Sequence, residues 1–322
     1  MPESNTIELK NLKTWFPIRR GILSKTVGYV RAVDGVSLTI AKGETVGLVG
    51  ESGCGKTTLG RTVIGLEKAV EGDILFYGKN INKLSSDEFK SLRRRIQIIF
   101  QDPLSSLNPR MTVMDIVTEG LEEFGLIKGS KEDHAGKLLA EVGLDADALY
   151  RYPHEFSGGQ RQRINIARAI SLKPDFIVCD EPVSALDVSV QAQVINLLTD
   201  LRDAYHLSYL FISHDLSVVS TISHRIAVMY LGKIVEYGNT RDMICSPKHP
   251  YTQALISAVP HIGSHKDKKI VLSGEMPSPS DPPPGCRFHP RCPQVMEICK
   301  SRIPAETRIG TQKVWCLMYE NL

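Results

Sequence analysis

The sequence predicts an α/β fold built on a parallel sheet, with a helical insertion and a cysteine-rich region near its C-terminal end. Three observations support this prediction. A glycine-rich turn separates an apolar run from a helical segment near residue 50, later apolar runs end in acidic or histidine side chains, and four cysteines lie close together after residue 285. Open parallel sheets bind ligands outside the carboxyl ends of their strands, so we expect the functional site there.

The composition limits the classes of protein to consider. With 322 residues, 42% hydrophobic and 23% charged, the chain is long enough for one large or two modest globular domains. A net charge of +3 is too small to indicate a nucleic-acid partner, and we expect none. No run of about 18 apolar residues is present. The polar N-terminus lacks a signal-peptide core, so we expect a cytosolic protein.

The N-terminal region is expected to form two strands. Residues 7–13 alternate apolar and polar side chains, and we expect Trp15-Phe16-Pro17 to end this edge strand. The basic residues 18–27 are expected to form a solvated loop, and residues 29–40 a second strand. An exposed aromatic side chain upstream of a phosphate-binding loop can stack on an adenine ring. Tyr29 is the first candidate and Phe16 the second, although either can be an ordinary strand or loop aromatic.

Residues 50–58, GESGCGKTT, form a predicted phosphate-binding loop between a strand and a helix. Glycines allow backbone N–H groups to turn onto an anion, and the helix N-terminus adds partial positive charge. A lysine and a hydroxyl at these positions can reach the outer phosphates and Mg²⁺. The candidate binding residues are Gly50, Ser52, Gly53, Cys54, Gly55, Lys56, Thr57 and Thr58, with Thr57 as the Mg²⁺ ligand.

Polar side chains follow three later apolar runs. Gln101 follows residues 96–100 and can bind Mg²⁺ or position water, although Gln-Asp-Pro is also a plain turn. Asp180 and Glu181 follow residues 176–179, where one carboxylate can organise Mg²⁺ and the next can polarise the attacking water. The pair could instead cap a helix, a minor alternative beside a phosphate-binding loop. His214 follows residues 208–212 and is expected to face the ligand.

Residues 157–160, SGGQ, begin a predicted helix after the mostly helical region 104–168. Ser157 is a suitable N-cap, and Gly158 and Gly159 leave backbone N–H groups open, so this segment is a second candidate anion site. The alternative is a simple capped helix. Residues 184–187, ending in Asp187, form a polar turn before the long amphipathic helix predicted at residues 190–205.

The C-terminal region changes character after residue 238. We expect a helix near residues 249–259, a polar linker at 261–269, and irregular structure at 276–285, which holds five prolines. Four cysteines in a cytosolic tail favour soft-metal ligation, by zinc or an iron–sulfur cluster. The absence of paired C-x₂-C hooks favours the cluster, with unmetallated or disulfide-linked cysteines as further alternatives. Arg287 and Arg291 are expected to be solvated or to offset the charge of bound thiolates. The candidate ligands are Cys286, Cys292, Cys299 and Cys316.

Together, residues 7–238 resemble the ATP-binding cassette of ABC transporters. In terms of this resemblance, residues 50–58 are the Walker A loop, Gln101 belongs to the Q-loop, Asp180 ends Walker B, Glu181 is the catalytic glutamate and His214 is the switch histidine. The signature comprises Ser157, Gly158, Gly159 and Gln160, and Asp187 ends the D-loop. Phe156 stands where the family usually has leucine, and Thr57-Thr58 where Ser-Thr is common; both keep the chemical character.

The resemblance implies a RecA-like parallel sheet with an antiparallel β subdomain, an α-helical subdomain at about residues 104–170, and a small C-terminal cysteine-rich metal-binding domain. The implied boundaries are residues 1–240 for the cassette and 241–322 for the extension. Two cassettes are expected to pair head to tail, with ATP and Mg²⁺ held between the Walker A loop of one chain and the signature of the other. A single chain therefore provides half of each site.

Residues 100–109, 49–56 and 249–252 are similar to the ATPases of dipeptide and oligopeptide importers, and more closely to the second, F-type ATPase of the pair. This resemblance implies a heterodimer with a second homologous ATPase subunit, two transmembrane permease subunits, an extracytoplasmic peptide-binding protein, and a peripheral position on the cytoplasmic face of the inner membrane. It also implies a [4Fe–4S] cluster in the tail. Alternatives are an importer of nickel or another small solute, a soluble ABC ATPase, and a nucleotide-dependent redox sensor.

Overall fold

The structure is a computed structural model that describes residues 5–21, 24–259 and 270–320. It divides into two compact units. The first comprises Met1–Thr6, Ile40–Glu44 and Lys83–Phe211, and the second comprises Ile7–Thr39, Thr45–Asn82 and Ile212–Leu322.

Strands predominate in the first 80 residues of the chain, and helices predominate between residues 86 and 170. The strands are β1 (Asn5–Arg20), β2 (Lys25–Ala41), β3 (Thr45–Val49), β4 (Glu71–Phe76), β5 (Lys79–Asn80), β6 (Ile96–Ile99), β7 (Phe176–Asp180), β8 (Ser208–Ile212), β9 (Arg225–Tyr230), β10 (Lys233–Asn239), β11 (Thr307–Ile309) and β12 (Gln312–Val314). The helices are α1 (Lys56–Val63), α2 (Ser86–Arg93), α3 (Pro103–Ser106), α4 (Val113–Glu123), α5 (Lys131–Glu141), α6 (Gly158–Ile170), α7 (Val188–Tyr205), α8 (Leu216–Ile222), α9 (Thr240–Cys245) and α10 (Pro250–Ser257).

The second unit contains strands of two sheets. One has the strand order β2-β1-β4-β5, and β1 runs antiparallel to β4 with Ile7 opposite Phe76. In the other, β3 runs parallel to β9, and β9 runs antiparallel to β10. All five residues of β3 are buried, so the loop that follows begins at the end of a rigid, apolar strand.

The N-terminal strands extend further than the sequence pattern indicates. Trp15-Phe16-Pro17 does not end β1, which continues to Arg20, and the expected solvated loop at residues 18–27 belongs largely to β1 and β2. The pairing of β1 with β4 stops at Lys13 and Glu71. Pro17 therefore lies beyond this pairing, where a missing backbone N–H costs little on that side of the strand.

The first unit contains β6, which leads to Gln101, and β7, which leads to the carboxylates Asp180 and Glu181. β6 and β7 are parallel, with Ile99 opposite Cys179, and β7 lies between β6 and β8. All residues of β7 and β8 are buried, as expected for apolar parallel strands. The region from about residue 104 to 170 is mostly helical, as predicted, with α4 capped by Thr112 and α5 capped by Ser130.

The C-terminal extension, residues 241–322, shares the second unit with the phosphate-binding loop. Its strand β12 pairs with β10, and β11 pairs with β12, so the extension adds strands to a cassette sheet. The helix expected near residues 249–259 is α10. The expected linker at residues 261–269 lies outside the described residues. Among the helices that the structure describes, none has the length and apolar character needed to cross a bilayer.

Candidate functional site

The phosphate-binding loop has the predicted order of strand, glycine-rich turn and helix. β3 leads into the loop, and α1 begins at Lys56 with Gly55 as its N-cap. Gly55 has φ of 108°, and a Cβ atom there would lie 2.0 Å from the carbonyl oxygen of Ala32. Both the left-handed conformation and the close approach require glycine at this position.

The Lys56 side chain bonds to the first two residues of its own loop. This side chain is buried, and its ammonium donates hydrogen bonds to the carbonyl oxygens of Gly50, at 2.8 Å, and Glu51, at 3.0 Å. The loop therefore holds a buried cation through its own carbonyl oxygens, and a cation in this position can attract an anionic ligand. Cys54 is buried as well, and burial raises the pKa of its thiol to about 11, so the thiol is neutral at physiological pH.

The candidate adenine-stacking side chains are exposed. Tyr29 is 46% exposed and Phe16 is 36% exposed. The Tyr29 ring lies 6.1 Å from the ring of Trp15, and the Arg31 guanidinium lies 5.2 Å from the same Trp15 ring. The Tyr29 ring is therefore accessible to a ligand beside Trp15, and its role in stacking stays a prediction.

In the first unit, two predicted residues that are far apart in sequence come together. The Gln101 side-chain amide donates a hydrogen bond to Oε2 of Glu181 at 3.1 Å. Glu181 directly follows β7 and has φ of 46°, a left-handed conformation that is uncommon for a glutamate. Such strain is typical of functional sites. The sharp turn lets Asp180 remain buried at the strand end while Glu181 bonds to Gln101.

The segment SGGQ forms a capped helix start, as predicted. The Ser157 hydroxyl accepts a hydrogen bond from the Gln160 amide, and the Gln160 side chain accepts one from the Ser157 amide. This reciprocal capping box fixes the first turn of α6. A Cβ atom on Gly159 would lie 2.5 Å from Cγ1 of Val190, so glycine is required where α6 packs on α7.

Asp187 and His214 also lie at helix starts. Asp187 occupies the N-cap position of α7 but makes no side-chain capping bond. His214 follows β8 and belongs to the second unit, as does the phosphate-binding loop. The next residue, Asp215, caps α8 through its side chain. The candidate residues are thus divided between the units: Gln101, Asp180, Glu181, Asp187 and residues 157–160 in the first, and the loop, Tyr29 and His214 in the second.

The four C-terminal cysteines are free thiols. Burial, together with the charges of the other three cysteines, raises the pKa of Cys316 to about 11. Burial also raises the pKa of Cys286 to about 11. The donor set is suited to a soft metal. Yet within the described part of the chain no group of three or more Cys, His, Asp or Glu side chains is arranged to hold a metal ion. The structure therefore does not show the expected metal-binding domain.

Two arginines of the extension differ from expectation. The side chains of Arg287 and Arg291 are only 10% and 9% exposed, so they are not solvated. Arg287 pairs with Asp34, and Arg291 pairs with Glu51 of the phosphate-binding loop. Sequence reasoning missed these contacts because the partners are 253 and 240 residues away. The five-proline segment beside them offers no periodic pattern that could reveal a partner.

Comparison with known proteins identifies the class. Residues 33–184 match the ABC transporter family. The fold resembles the dimeric cassette MJ0796 in a post-hydrolysis state bound to ADP and phosphate, with a TM-score of 0.64 and 27% identity over 73% of this chain and 99% of that one. It also resembles cbiO1 of Clostridium perfringens, with a TM-score of 0.65 and 25% identity over 76% of this chain and 92% of that one. These matches define an ATP-binding cassette.

Further matches identify the branch of the family. Residues 235–299 match the C-terminal region of oligopeptide and dipeptide transporters. The chain is 54% identical to the oligopeptide transport ATP-binding protein AppF of Bacillus subtilis over 94% of this chain and 93% of that protein. It is 48% identical to a putative peptide import ATP-binding protein of Brucella ovis over 94% of each. The chain belongs to the dipeptide and oligopeptide branch of the ABC transporter ATP-binding proteins.

Proposed function

We propose that this chain is the ATP-hydrolysing subunit that powers import of dipeptides or oligopeptides through an ABC transporter. The observation that carries the proposal is the phosphate-binding loop, in which Lys56 is buried and bonded to its own loop carbonyls. The names of the relatives, an oligopeptide transport and a putative peptide import ATP-binding protein, support the choice of cargo.

Nucleotide binding is assigned to the loop and to the second helix start. The loop amides and Lys56 bind the phosphates, and Tyr29 stacks on the adenine. Thr57, Gln101 and Asp180 are the proposed Mg²⁺ ligands, because hydroxyl, amide and carboxylate oxygens suit this hard cation. The proposed nucleotide-binding residues are Gly50, Ser52, Gly53, Cys54, Gly55, Lys56, Thr57, Thr58, Ser157, Gly158, Gly159, Gln160 and Asp187.

Hydrolysis is assigned to Glu181, with Gln101 and His214 in support. Glu181 polarises the attacking water as general base, and the Gln101 amide holds the carboxylate through the 3.1 Å bond. His214 contacts the transferred phosphate. Thr57, Gln101 and Asp180 would hold Mg²⁺, which when bound would supply positive charge beside the phosphate oxygens.

Replacement of Glu181 by Gln tests this assignment. The amide keeps the shape of the side chain but cannot accept a proton, so ATPase activity of the assembled transporter should fall by at least about 100-fold. ATP affinity, measured with a fluorescent nucleotide, should change by less than about twofold. Glu297→Gln, an exposed substitution in the extension, is the control. Near-normal turnover in Glu181→Gln would remove the assigned role.

The proposed partners follow from the family resemblance, which implies that one chain provides only half of each ATP site. A second homologous ATPase subunit supplies the other signature helix, and two permease subunits and an extracytoplasmic binding protein complete the importer. The chain itself is then peripheral, on the cytoplasmic face of the inner membrane. Isolation of the chain from its own cells together with permease subunits supports this assembly, and recovery with ribosomes or DNA instead would favour a soluble ABC ATPase.

A [4Fe–4S] cluster is proposed for Cys286, Cys292, Cys299 and Cys316, because four thiols form a soft donor set. When bound, such a cluster cross-links the irregular segments of the extension, which is a structural role. Anaerobic purification followed by iron and sulfide analysis should give about four of each per chain. Chelation of this iron should lower the Tm, whereas stoichiometric zinc without iron would contradict the cluster.

A further inference from the structure

Glu51, the second residue of the phosphate-binding loop, is held at three separate atoms. Its backbone carbonyl accepts a hydrogen bond from Lys56 at 3.0 Å. Its backbone N–H donates to the Tyr251 hydroxyl at 2.9 Å. Its carboxylate accepts a hydrogen bond from the Arg291 guanidinium, also at 2.9 Å. Two of these three contacts come from the C-terminal extension, so the extension helps to determine the conformation of the loop.

The two contacts from the extension are rigidly supported. Tyr251 is fully buried on α10, and Arg291 ends a short 3₁₀ turn, His289–Arg291, that lies between Cys286 and Cys292. Phe288, at the start of this turn, lies 5.3 Å from the Tyr251 ring, measured between ring centroids. Both rings also pack edge-on against Tyr230 of β9, with centroids 4.8 and 5.2 Å away. Contacts of this kind fix the two anchoring groups relative to each other.

The charge of Glu51 explains why an arginine is needed. A carboxylate in a loop that binds phosphates repels the ligand, and this repulsion is strong where the side chains are partly buried. The Arg291 side chain is 9% exposed, and that of Glu51 is 31% exposed. The Arg291 guanidinium donates to Oε2 of the Glu51 carboxylate at 2.9 Å, so the two opposite charges form a close ion pair. The arginine therefore cancels a negative charge inside the anion site.

Two further residues of the extension, Met276 and Pro279, lie close to the loop or to the residues beside it. A Cβ atom on Gly53 would lie 3.5 Å from the terminal methyl of Met276. The carbonyl of Pro279 accepts a hydrogen bond from the backbone N–H of Arg31 at 3.0 Å, close to Ala32, which packs against Gly55. The five-proline segment thus lies along the loop and its surroundings.

We infer that Arg291 and Tyr251 are positioning residues for nucleotide binding: they hold Glu51, cancel its charge and keep the phosphate-binding loop in its binding conformation. This inference rests on the proposed role of the loop. It gives the C-terminal extension a direct part in the ATPase site, apart from anything that its cysteines bind.

The test measures ATP affinity of the full-length chain with a fluorescent nucleotide, and Tm without nucleotide. Arg291→Gln leaves the carboxylate of Glu51 uncompensated and should weaken ATP binding about five- to tenfold. Tyr251→Phe keeps the ring but removes the hydroxyl, and should weaken binding about two- to fivefold. Arg291→Lys keeps the charge and should retain most of the affinity.

A double variant separates charge cancellation from simple loss of a contact. Glu51→Gln removes the repulsive charge, so the combined variant Arg291→Gln/Glu51→Gln should bind ATP within about twofold of the unmodified chain. If the double variant binds as weakly as Arg291→Gln alone, charge cancellation is wrong. If Arg291→Gln and Tyr251→Phe lower the Tm but leave ATP affinity unchanged, the residues are structural only and the inference is overturned.

Matched controls come from the same extension. Arg302→Gln breaks the ion pair with Glu320, and Tyr319→Phe removes a hydroxyl that donates to the Lys248 carbonyl; both should leave ATP affinity unchanged. Lys56→Ala tests the loop itself. If Lys56→Ala binds ATP normally, the proposed role of the loop fails. If it abolishes binding while Arg291→Gln and Tyr251→Phe have no effect, only the positioning inference fails.

Discussion

His249 is a buried side chain whose environment keeps it neutral. It lies at the N-cap of α10, where Nδ1 accepts a hydrogen bond from the Tyr251 amide at 3.1 Å. Its own amide donates to the Glu236 carboxylate at 2.9 Å. Burial lowers the pKa of His249 from 6.5 to about 3. Because Tyr251 also bonds to Glu51, protonation of this histidine would disturb the support of the phosphate-binding loop.

The lowered pKa of His249 predicts an acid-sensitive fold. Below pH 6.5 the His249 side chain binds a proton in the unfolded chain, whereas in the folded chain it stays neutral down to about pH 3. The free energy of unfolding therefore decreases as the pH is lowered from 6.5 to 3. Between pH 7 and pH 5 the loss should be about 2 kcal/mol of unfolding free energy relative to His249→Asn, which keeps the cap but cannot titrate.

Urea unfolding of both proteins at the two pH values measures this difference. Glu236 acts in the opposite direction, since burial raises its pKa and favours its protonated form in the folded chain. It is present in both proteins, so its contribution cancels in the comparison. An identical loss of stability in both would show that His249 does not cause the acid sensitivity.

Local sequence motifs predicted where several candidate residues lie in the fold, and the roles of these residues stay predictions. Lys56 lies within its loop, and Gln101 meets Glu181 even though they are 80 residues apart, because both lie at the ends of paired parallel strands. Arg291 was not predictable in the same way. Its partner is specified by the three-dimensional path of an irregular segment, and neither hydrophobic periodicity nor a turn motif encodes that path.

At the scale of elements, the contact between α6 and α7 depends on a single glycine. Gly159 lies in the first turn of α6, where a Cβ atom would be 2.5 Å from Cγ1 of Val190. Valine is stiff at χ1 and cannot easily turn away. Glycine at this position therefore allows close packing of the two helices.

Gly159→Ala should therefore destabilise the chain by about 1–3 kcal/mol through overpacking. Val190→Ala in the same chain removes the clashing methyl groups and should restore most of that loss. Unfolding midpoints of the two single variants and the double variant measure the coupling. Strictly additive effects would argue against direct contact between these positions.

Element boundaries were predicted less well than element types. The parallel strands β7 and β8 and helices α7 and α10 were found from apolar runs and periodicity, with ends shifted by a few residues. In contrast, β1 continues through Pro17 to Arg20. Proline normally indicates the end of a strand, but in β1 it lies beyond the residues that pair with β4. Local sequence does not show where this pairing stops, because it depends on the tertiary structure.

At the scale of the whole molecule, each chain carries one phosphate-binding loop and one signature segment, in different compact units. If each nucleotide is held between two chains, the chain alone should hydrolyse ATP slowly. Addition of the partner ATPase subunit should raise turnover per chain by at least about tenfold, with a more than linear dependence on protein concentration. Full activity of a monomer, verified by light scattering during the assay, would contradict the shared site.

The long separation between Glu51 and its anchors also has a consequence for biosynthesis. Arg291 lies 240 residues after Glu51, and β12, which extends the sheet beside β10, lies later still. During translation the loop therefore emerges long before the residues that hold it, and contacts of such high sequence separation form late. A nascent or C-terminally truncated cassette is thus expected to be a poor ATP binder, so that nucleotide binding becomes a property of completed chains.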